Sequence, residues 1–245
     1  MTRTNPLFPF RQSRPSARVR LLCLPFAGGT ATTYRTWVKA LPEWIDVCPV
    51  ELPGHGTRMD GHQLTTVEQI VSAVLPDVKQ LAAPLAIFGH SMGARLGYEL
   101  CRALGSTPIH LFASAAPAPH VPRRRHLAQL SRSALVAELT RMNPATAEVY
   151  EDAELVDLLL PIIRTDLALS EAYRGSVEPP IDVPITVLTS TTDEDVTLEE
   201  AQAWGQATSR PFAEPIVYEG GHFFLEAHAK SIHEVIAAAL SGSRA

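Results

Sequence analysis

Short runs of apolar residues alternate with segments of helical periodicity along most of this chain. Six of these runs are bounded by turn residues and have the length of buried strands. They are residues 18–24, 45–52, 85–88, 110–114, 185–188 and 215–218. Apolar positions at helical spacing lie between them, for example in the segment that Thr65 or Thr66 would cap and in the final segment, 227–240. This alternation predicts an α/β fold with a mainly parallel, doubly wound sheet.

Residues from about Arg124 to Arg174 interrupt the alternation, because helical periodicity continues there without a strand pattern. The apolar positions of this segment are Leu127, Leu130, Leu135, Leu139, Leu155, Leu158, Leu159, Ile162, Ile163 and Leu167. A helical insertion after a sheet strand is expected above the carboxyl edge of the sheet, where ligands of open α/β sheets bind. We therefore expect a lid over a site, within a single domain of residues 1–245. The alternative is a helical extension packed on one side.

The apolar run 85–88 leads directly into Gly89-His90-Ser91-Met92-Gly93, and a helical pattern follows. This is the G-x-S-x-G nucleophile elbow, in which a strand turns sharply into a helix with the serine at the apex. Glycines two residues to either side relieve the crowding at such a turn. The sequence therefore predicts Ser91 as a nucleophile, whereas an ordinary strand-to-helix turn is the alternative.

A serine nucleophile needs a base that takes its proton and an acid that orients the base, and in this fold they follow in the order Ser, Asp or Glu, His. His222 follows the last predicted strand and is preceded by two glycines, so it is the expected base. The acid is expected in the loop after residues 185–188. Asp193 is favoured, and Asp195 and Glu194 remain alternatives.

Other histidines fit different environments. His90 is expected to line the elbow, and His55 and His62 are expected in a solvated loop. His228 and His233 fall in the last predicted helix, as surface or packing residues. The sequence contains neither an H-E-x-x-H motif nor a Cys/His cluster, so a metal mechanism is disfavoured and no cofactor is expected.

Acyl transfer also requires donors directed at the developing oxyanion. The backbone N–H of Met92, directly after the nucleophile, is one expected donor. Ala27, which precedes Gly28 and Gly29 in the loop after the first strand, is the other. A phosphate site is the alternative for this loop, but the loop lacks the Walker lysine and the G-x-G-x-x-G spacing.

Composition narrows the class of protein. The chain has 245 residues, 46% hydrophobic and 19% charged, which suits one domain with a full core. Its net charge of −5 argues against nucleic-acid binding.

The three cysteines lie in apolar runs without C-x-x-C spacing, which indicates buried, reduced thiols. No apolar run reaches the length of a membrane span, and no secretory signal is recognised. We expect a soluble, cytoplasmic protein.

Four motifs together resemble the type II thioesterases, the free-standing α/β hydrolases of polyketide synthase and nonribosomal peptide synthetase pathways. They are Pro25-Phe-Ala-Gly-Gly29, Leu52-Pro-Gly54, Gly89-His-Ser-Met-Gly93 and Gly220-Gly-His-Phe-Phe-Leu225. The resemblance implies hydrolysis of aberrant or stalled acyl groups from the phosphopantetheine arm of an acyl or peptidyl carrier protein. It places Ser91, Asp193 and His222 on the triad positions, and Ala27 and Met92 on the oxyanion positions. It also implies a monomer.

The chain departs from that family's pattern at two points. The acid loop, usually Gly-x-x-Asp-Pro, has Ser190 at its start and Glu194 in place of the proline. His55 stands where an arginine is common. The run Arg123-Arg-Arg125 is a candidate basic surface for an acidic carrier protein, or a solvated charge run. The competing functions are a general esterase or acyl-CoA hydrolase and a silent binding module on a hydrolase scaffold.

Overall fold

Six parallel strands form one sheet in the order β2-β1-β3-β4-β5-β6. The computed structural model describes residues 5–59, 61–81 and 84–242. The strands are β1 (Val19–Leu24), β2 (Ile45–Pro49), β3 (Leu85–His90), β4 (Pro108–Ser114), β5 (Ile185–Ser190) and β6 (Ile216–Tyr218). All six predicted strands are therefore present, and every neighbouring pair is parallel. The predicted domain also includes residues 1–4, 60, 82–83 and 243–245, which lie outside the described residues.

Eight α-helices connect or flank these strands within the described ranges. They are α1 (Trp37–Ala40), α2 (Val67–Val78), α3 (Met92–Leu104), α4 (Arg132–Met142), α5 (Ala147–Glu151), α6 (Ala153–Ala172), α7 (Leu198–Gln202) and α8 (Ala229–Ser241). Thr66 caps α2 by accepting the N–H of Gln69 at 3.2 Å, which settles the choice between Thr65 and Thr66. Between β5 and β6, α7 is followed directly by a 3₁₀ turn, Ala203–Ala207.

The sheet is buried on both faces, which explains why its strands read as continuous apolar runs. Side chains alternate along β1, so that Leu22 and Leu24 pack on one side with α2 and α3. Leu21 and Cys23 pack on the other side with α1 and α8. A sheet with helices on both faces is the doubly wound architecture predicted from the alternation of elements.

The strand-free segment after β4 contains α4, α5 and α6 with two short 3₁₀ turns, Leu127–Gln129 and Pro144–Thr146. This segment has an apolar cluster of its own, formed by Leu127, Leu135, Val156 and Leu160. Leu155 and Leu158, which the periodicity placed on the packed face, are instead 40% and 51% exposed. None of the described helices combines the length and apolar character needed to cross a membrane.

Register brings the functional loops to one edge of the sheet. Leu24 of β1 pairs with Gly89 of β3, and His90 pairs with Ser114 of β4. Ser114 pairs in turn with Leu188 of β5. Because parallel strands end at the same edge, the segments that follow β1, β3, β5 and β6 meet at the carboxyl end of the sheet.

Candidate active site

The elbow is built by the sharp turn from β3 to α3. Ser91 has φ 56° and ψ −113°, a conformation that costs energy for a residue with a side chain. Its backbone N–H donates to the carbonyl of Ser114 at 2.7 Å, which holds the turn against β4. A Cβ on Gly93 would press on the carbonyl oxygen of Leu24 and lie 2.7 Å from that of Pro25. Glycine is therefore required where α3 passes the end of β1.

The structure brings Ser91, His222 and Asp193 together from three separate loops. His222 Nε2 lies 2.9 Å from Ser91 Oγ, and His222 Nδ1 lies 2.9 Å from Asp193 Oδ2. Ser91 and His222 are each only 6% exposed. The two ring nitrogens therefore link the hydroxyl to the carboxylate in one line, which is the arrangement required for serine activation.

The three acidic residues of the loop after β5 have different partners. Asp195 directs its carboxylate to Arg125 at 3.2 Å, while its backbone N–H donates to Asp193 Oδ1 at 2.8 Å. Glu194 is exposed and accepts from Arg141 at 2.7 Å. Of the three carboxylates, the one that contacts the His222 ring is therefore that of Asp193.

Asp193 is held in its charged form. Burial opposes ionisation, but the His222 ring and the N–H of Asp195 more than offset it and lower the pKa of Asp193 below its ordinary value. A carboxylate in this position can fix the tautomer of His222 and stabilise its cation.

His90 packs behind His222 rather than facing the cleft. Its ring lies edge-on to that of His222, with the centroids 5.3 Å apart, and its Nδ1 is 2.9 Å from Ser114 Oγ. Burial, followed by the proximity of His222, lowers the pKa of His90 well below its usual range. His90 is therefore a neutral packing residue of the elbow, consistent with its predicted place beside the turn.

The expected oxyanion donors lie on either side of Ser91. Met92 is the first residue of α3, where helix N–H groups lack intrahelical acceptors. Ala27 lines the same cleft as Ser91 and lies in a turn that Gly29 closes by donating its N–H to Phe26 at 2.8 Å. We call the four residues Phe26–Gly29 the oxyanion loop.

His55 is not in a solvated loop, so that expectation was wrong. It is 2% exposed, and its Nε2 lies 2.8 Å from Oδ2 of Asp166 on α6. Sequence reasoning missed Asp166 altogether. The available signal was a carboxylate placed three residues after Ile163, within an otherwise apolar helix face.

The run Arg123–Arg125 does not form a free basic surface, so both interpretations made from the sequence were wrong. Arg123 is 8% exposed at its side chain and donates Nη2–H to Ser91 Oγ at 2.9 Å. Arg125 is paired with Glu138 and Asp195. Arg124, half exposed, lies 3.2 Å from Glu200. The run therefore lines the active site and is largely neutralised.

A cleft opens beside Ser91 between the oxyanion loop and the helical segment. The apolar side chains on its helical side are Leu127, Leu139, Met142, Ile163 and Leu167. Phe26 and Phe223 line the opposite side. The cleft thus presents apolar walls beside Ser91.

One group of possible metal ligands occurs among the described residues, namely Asp193, Asp195 and His222, whose donor atoms lie within 4.8 Å of one another. Those atoms already pair with each other and with Arg125. A guanidinium 3.2 Å from the Asp195 carboxylate opposes a second cation there. The donor atoms of this cluster are therefore already engaged with protein partners.

The comparisons with known proteins identify the family. Residues 19–240 match the thioesterase domain family. The chain belongs to that family. Gramicidin S biosynthesis protein GrsT of Aneurinibacillus migulanus is 34% identical, over 92% of this chain and 90% of that protein.

Two solved structures show the same fold. The type II thioesterase BorB from the borrelidin biosynthetic cluster is 39% identical with a TM-score of 0.85, over 94% of this chain and 96% of that one. The thioesterase RedJ from the prodiginine pathway in Streptomyces coelicolor is 32% identical with a TM-score of 0.86, over 93% and 92% of the two chains. This thioesterase therefore has the α/β-hydrolase fold expected from its motifs, and it is a hydrolase of acyl thioesters.

Proposed function

We propose that this thioesterase removes aberrant or stalled acyl groups from the phosphopantetheine arm of acyl or peptidyl carrier proteins, using Ser91 as nucleophile, His222 as base and Asp193 as orienting acid. The observation that supports these roles is the continuous contact from Ser91 Oγ through both His222 nitrogens to Asp193, with both distances 2.9 Å. The pathway assignment draws on relatives named for antibiotic biosynthesis, GrsT and BorB.

The reaction proceeds in two halves. His222 Nε2 takes the proton of Ser91 as its oxygen attacks the thioester carbonyl, and the N–H groups of Ala27 and Met92 stabilise the oxyanion. The carbon–sulfur bond then breaks, the proton on His222 passes to the leaving thiolate, and the acyl group remains on Ser91. Water that gives a proton to His222 attacks this ester, and Ser91 regains its proton as the free acid leaves.

The helical segment is proposed as the lid of this site. Its apolar side chains face Ser91 across the cleft, so they would contact the acyl chain and exclude water from the reacting carbonyl. Arg123 donates to Ser91 Oγ from the start of this segment, so an incoming carbonyl would have to share or displace that contact. The reaction is proposed to occur in the cytoplasm, on a monomer of this chain.

One acyl group offered in three forms tests the proposal. Hydrolysis is measured with an acyl-phosphopantetheinyl carrier protein, the matching coenzyme A thioester and a simple ester, each with wild type and Ser91→Ala. A much higher kcat/KM for the carrier-bound form, abolished in Ser91→Ala, is expected. Equal rates on all three substrates would leave a general acyl hydrolase. An absence of Ser91 labelling by a fluorophosphonate would instead indicate a silent binding module.

A further inference from the structure

A buried ion pair connects the lid helix α6 to the oxyanion loop. Asp166 is fully buried, and its Oδ2 accepts the backbone N–H of Gly28 at 2.7 Å. The same oxygen lies 2.8 Å from Nε2 of His55. Gly28 directly follows Ala27, so one carboxylate oxygen joins the lid, the oxyanion loop and the segment after β2.

The backbone of the oxyanion loop depends on this contact. Gly28 has φ +74° at the third position of the turn that Gly29 closes onto Phe26, a position where a type II turn favours glycine. A Cβ on Gly28 would collide with Ile163, one turn before Asp166 on α6. Helix α6 therefore packs against the loop through Ile163 and hydrogen-bonds it through Asp166. Holding the Gly28 N–H constrains the peptide plane between Ala27 and Gly28. That plane joins, at the Ala27 Cα, the peptide that carries the Ala27 N–H, so the contact limits how far that N–H can turn.

The surroundings of His55 require a doubly protonated ring. Both ring nitrogens face acceptors, because Nε2 faces Asp166 and Nδ1 lies 3.0 Å from the carbonyl oxygen of Pro53. A neutral imidazole has a single N–H and can satisfy only one of them. The imidazolium satisfies both and also balances the buried charge of Asp166.

The acidic groups around His55 act in the same direction. Asp166 faces it from α6, and Glu51 faces it from the end of the β2 segment. Arg58, on the following 3₁₀ turn, donates to the backbone carbonyl of Glu51 at 3.0 Å. Burial lowers the pKa of His55, but the Asp166 hydrogen bond and charge, the Pro53 carbonyl and Glu51 together raise it above its ordinary value.

We propose that Asp166 is a positioning residue for the oxyanion loop, and that full activity requires the protonated His55 beside it. The inference rests on the proposed serine mechanism but not on the carrier protein as substrate. When His55 loses its proton, either Pro53 or Asp166 loses its donor, and the carboxylate remains buried without a cation. The loop then loses its fixed orientation, and activity falls as the pH rises through the pKa of His55.

The test is the pH profile of kcat and KM for wild type, His55→Arg and Asp166→Asn. Each is assayed with p-nitrophenyl acetate and with an acyl-carrier thioester, at a temperature well below unfolding. An arginine can donate to both acceptors and does not titrate in this range, so His55→Arg should lose the alkaline limb. Asp166→Asn should lower kcat by about ten- to a hundredfold, with little change in KM, because a charged acceptor is lost.

His110→Gln is the matched control. His110 lies on β4 with its Nε2 2.8 Å from Thr186 Oγ1, and burial lowers its pKa to about 4. Its replacement should leave the alkaline limb in place. An unchanged alkaline limb in His55→Arg, or a normal kcat in Asp166→Asn, would overturn the proposal. A wild type that hydrolyses the p-nitrophenyl ester but no thioester would contradict the proposed function alone, since the ester profile still tests His55.

Discussion

Replacement of Asp193 by asparagine tests which acid orients the catalytic histidine. The backbone N–H of Asp195 donates to Asp193 Oδ1 at 2.8 Å, and Oδ2 faces His222 Nδ1 at 2.9 Å. An asparagine keeps its oxygen toward the N–H of residue 195, so its NH₂ group faces His222. That group must donate, which forces Nδ1 to accept and places the single ring proton on Nε2. His222 can then no longer take the proton of Ser91.

The size of the effect on kcat follows from the free-energy cost of rotating the asparagine side-chain amide by 180°. A reversed asparagine would accept from His222, but its NH₂ group would face the N–H of residue 195, leaving two donors without acceptors at a side chain with no exposed surface. Each buried unsatisfied donor costs about 1–3 kcal/mol, so the reversal costs about 2–6 kcal/mol. At about 1.36 kcal/mol per factor of ten, kcat should fall by between about thirtyfold and about 25,000-fold.

Asp195→Asn is the matched control, because it keeps the backbone N–H that binds Asp193 and alters only the pairing with Arg125 and Arg123. Its kcat should fall by no more than about tenfold, one charged hydrogen bond being lost outside the Ser91–His222 contact. The assay is release of free acid from an acyl thioester, with circular dichroism to confirm folding. A nearly active Asp193→Asn beside an inactive Asp195→Asn would refute the assignment.

Two further predictions concern the elbow and the thiols. Gly93→Ala should lose at least about 1–3 kcal/mol of unfolding free energy through overlap with the Leu24 carbonyl. A Cβ on Gly242 meets no atom within 4 Å, so Gly242→Ala should retain the wild-type melting temperature. Equal melting temperatures of the two variants would contradict the packing argument. The three cysteines are buried free thiols, and burial raises the pKa of Cys48 to about 12. Iodoacetamide at pH 8 should therefore modify none of them in the native protein and all three after unfolding, as mass spectrometry would show; rapid native labelling would contradict their burial.

The sequence by itself determined the architecture and the identity of the elbow. Buried parallel strands need continuous apolar runs, and a strand-to-helix turn this tight needs glycines at fixed spacing. Both features therefore depend only on residues that are close together in the sequence. The order of Ser91, the acidic loop and His222 was readable for the same reason. Each residue follows a recognisable strand, and parallel strands end at one edge.

Only the tertiary structure decided which charged side chains meet. Asp193 and Asp195 are two residues apart in one loop, and the pairing of Asp195 with Arg125 depends on where the helical segment begins above the sheet. From the sequence alone, His55 is predicted to lie in a solvated loop. In the structure, α6 places Asp166 against it, 111 residues further along the chain. Sequence periodicity records which side of an element is apolar. It does not record which distant element covers a polar loop, because that depends on how the helical segment after β4 packs over the edge of the sheet.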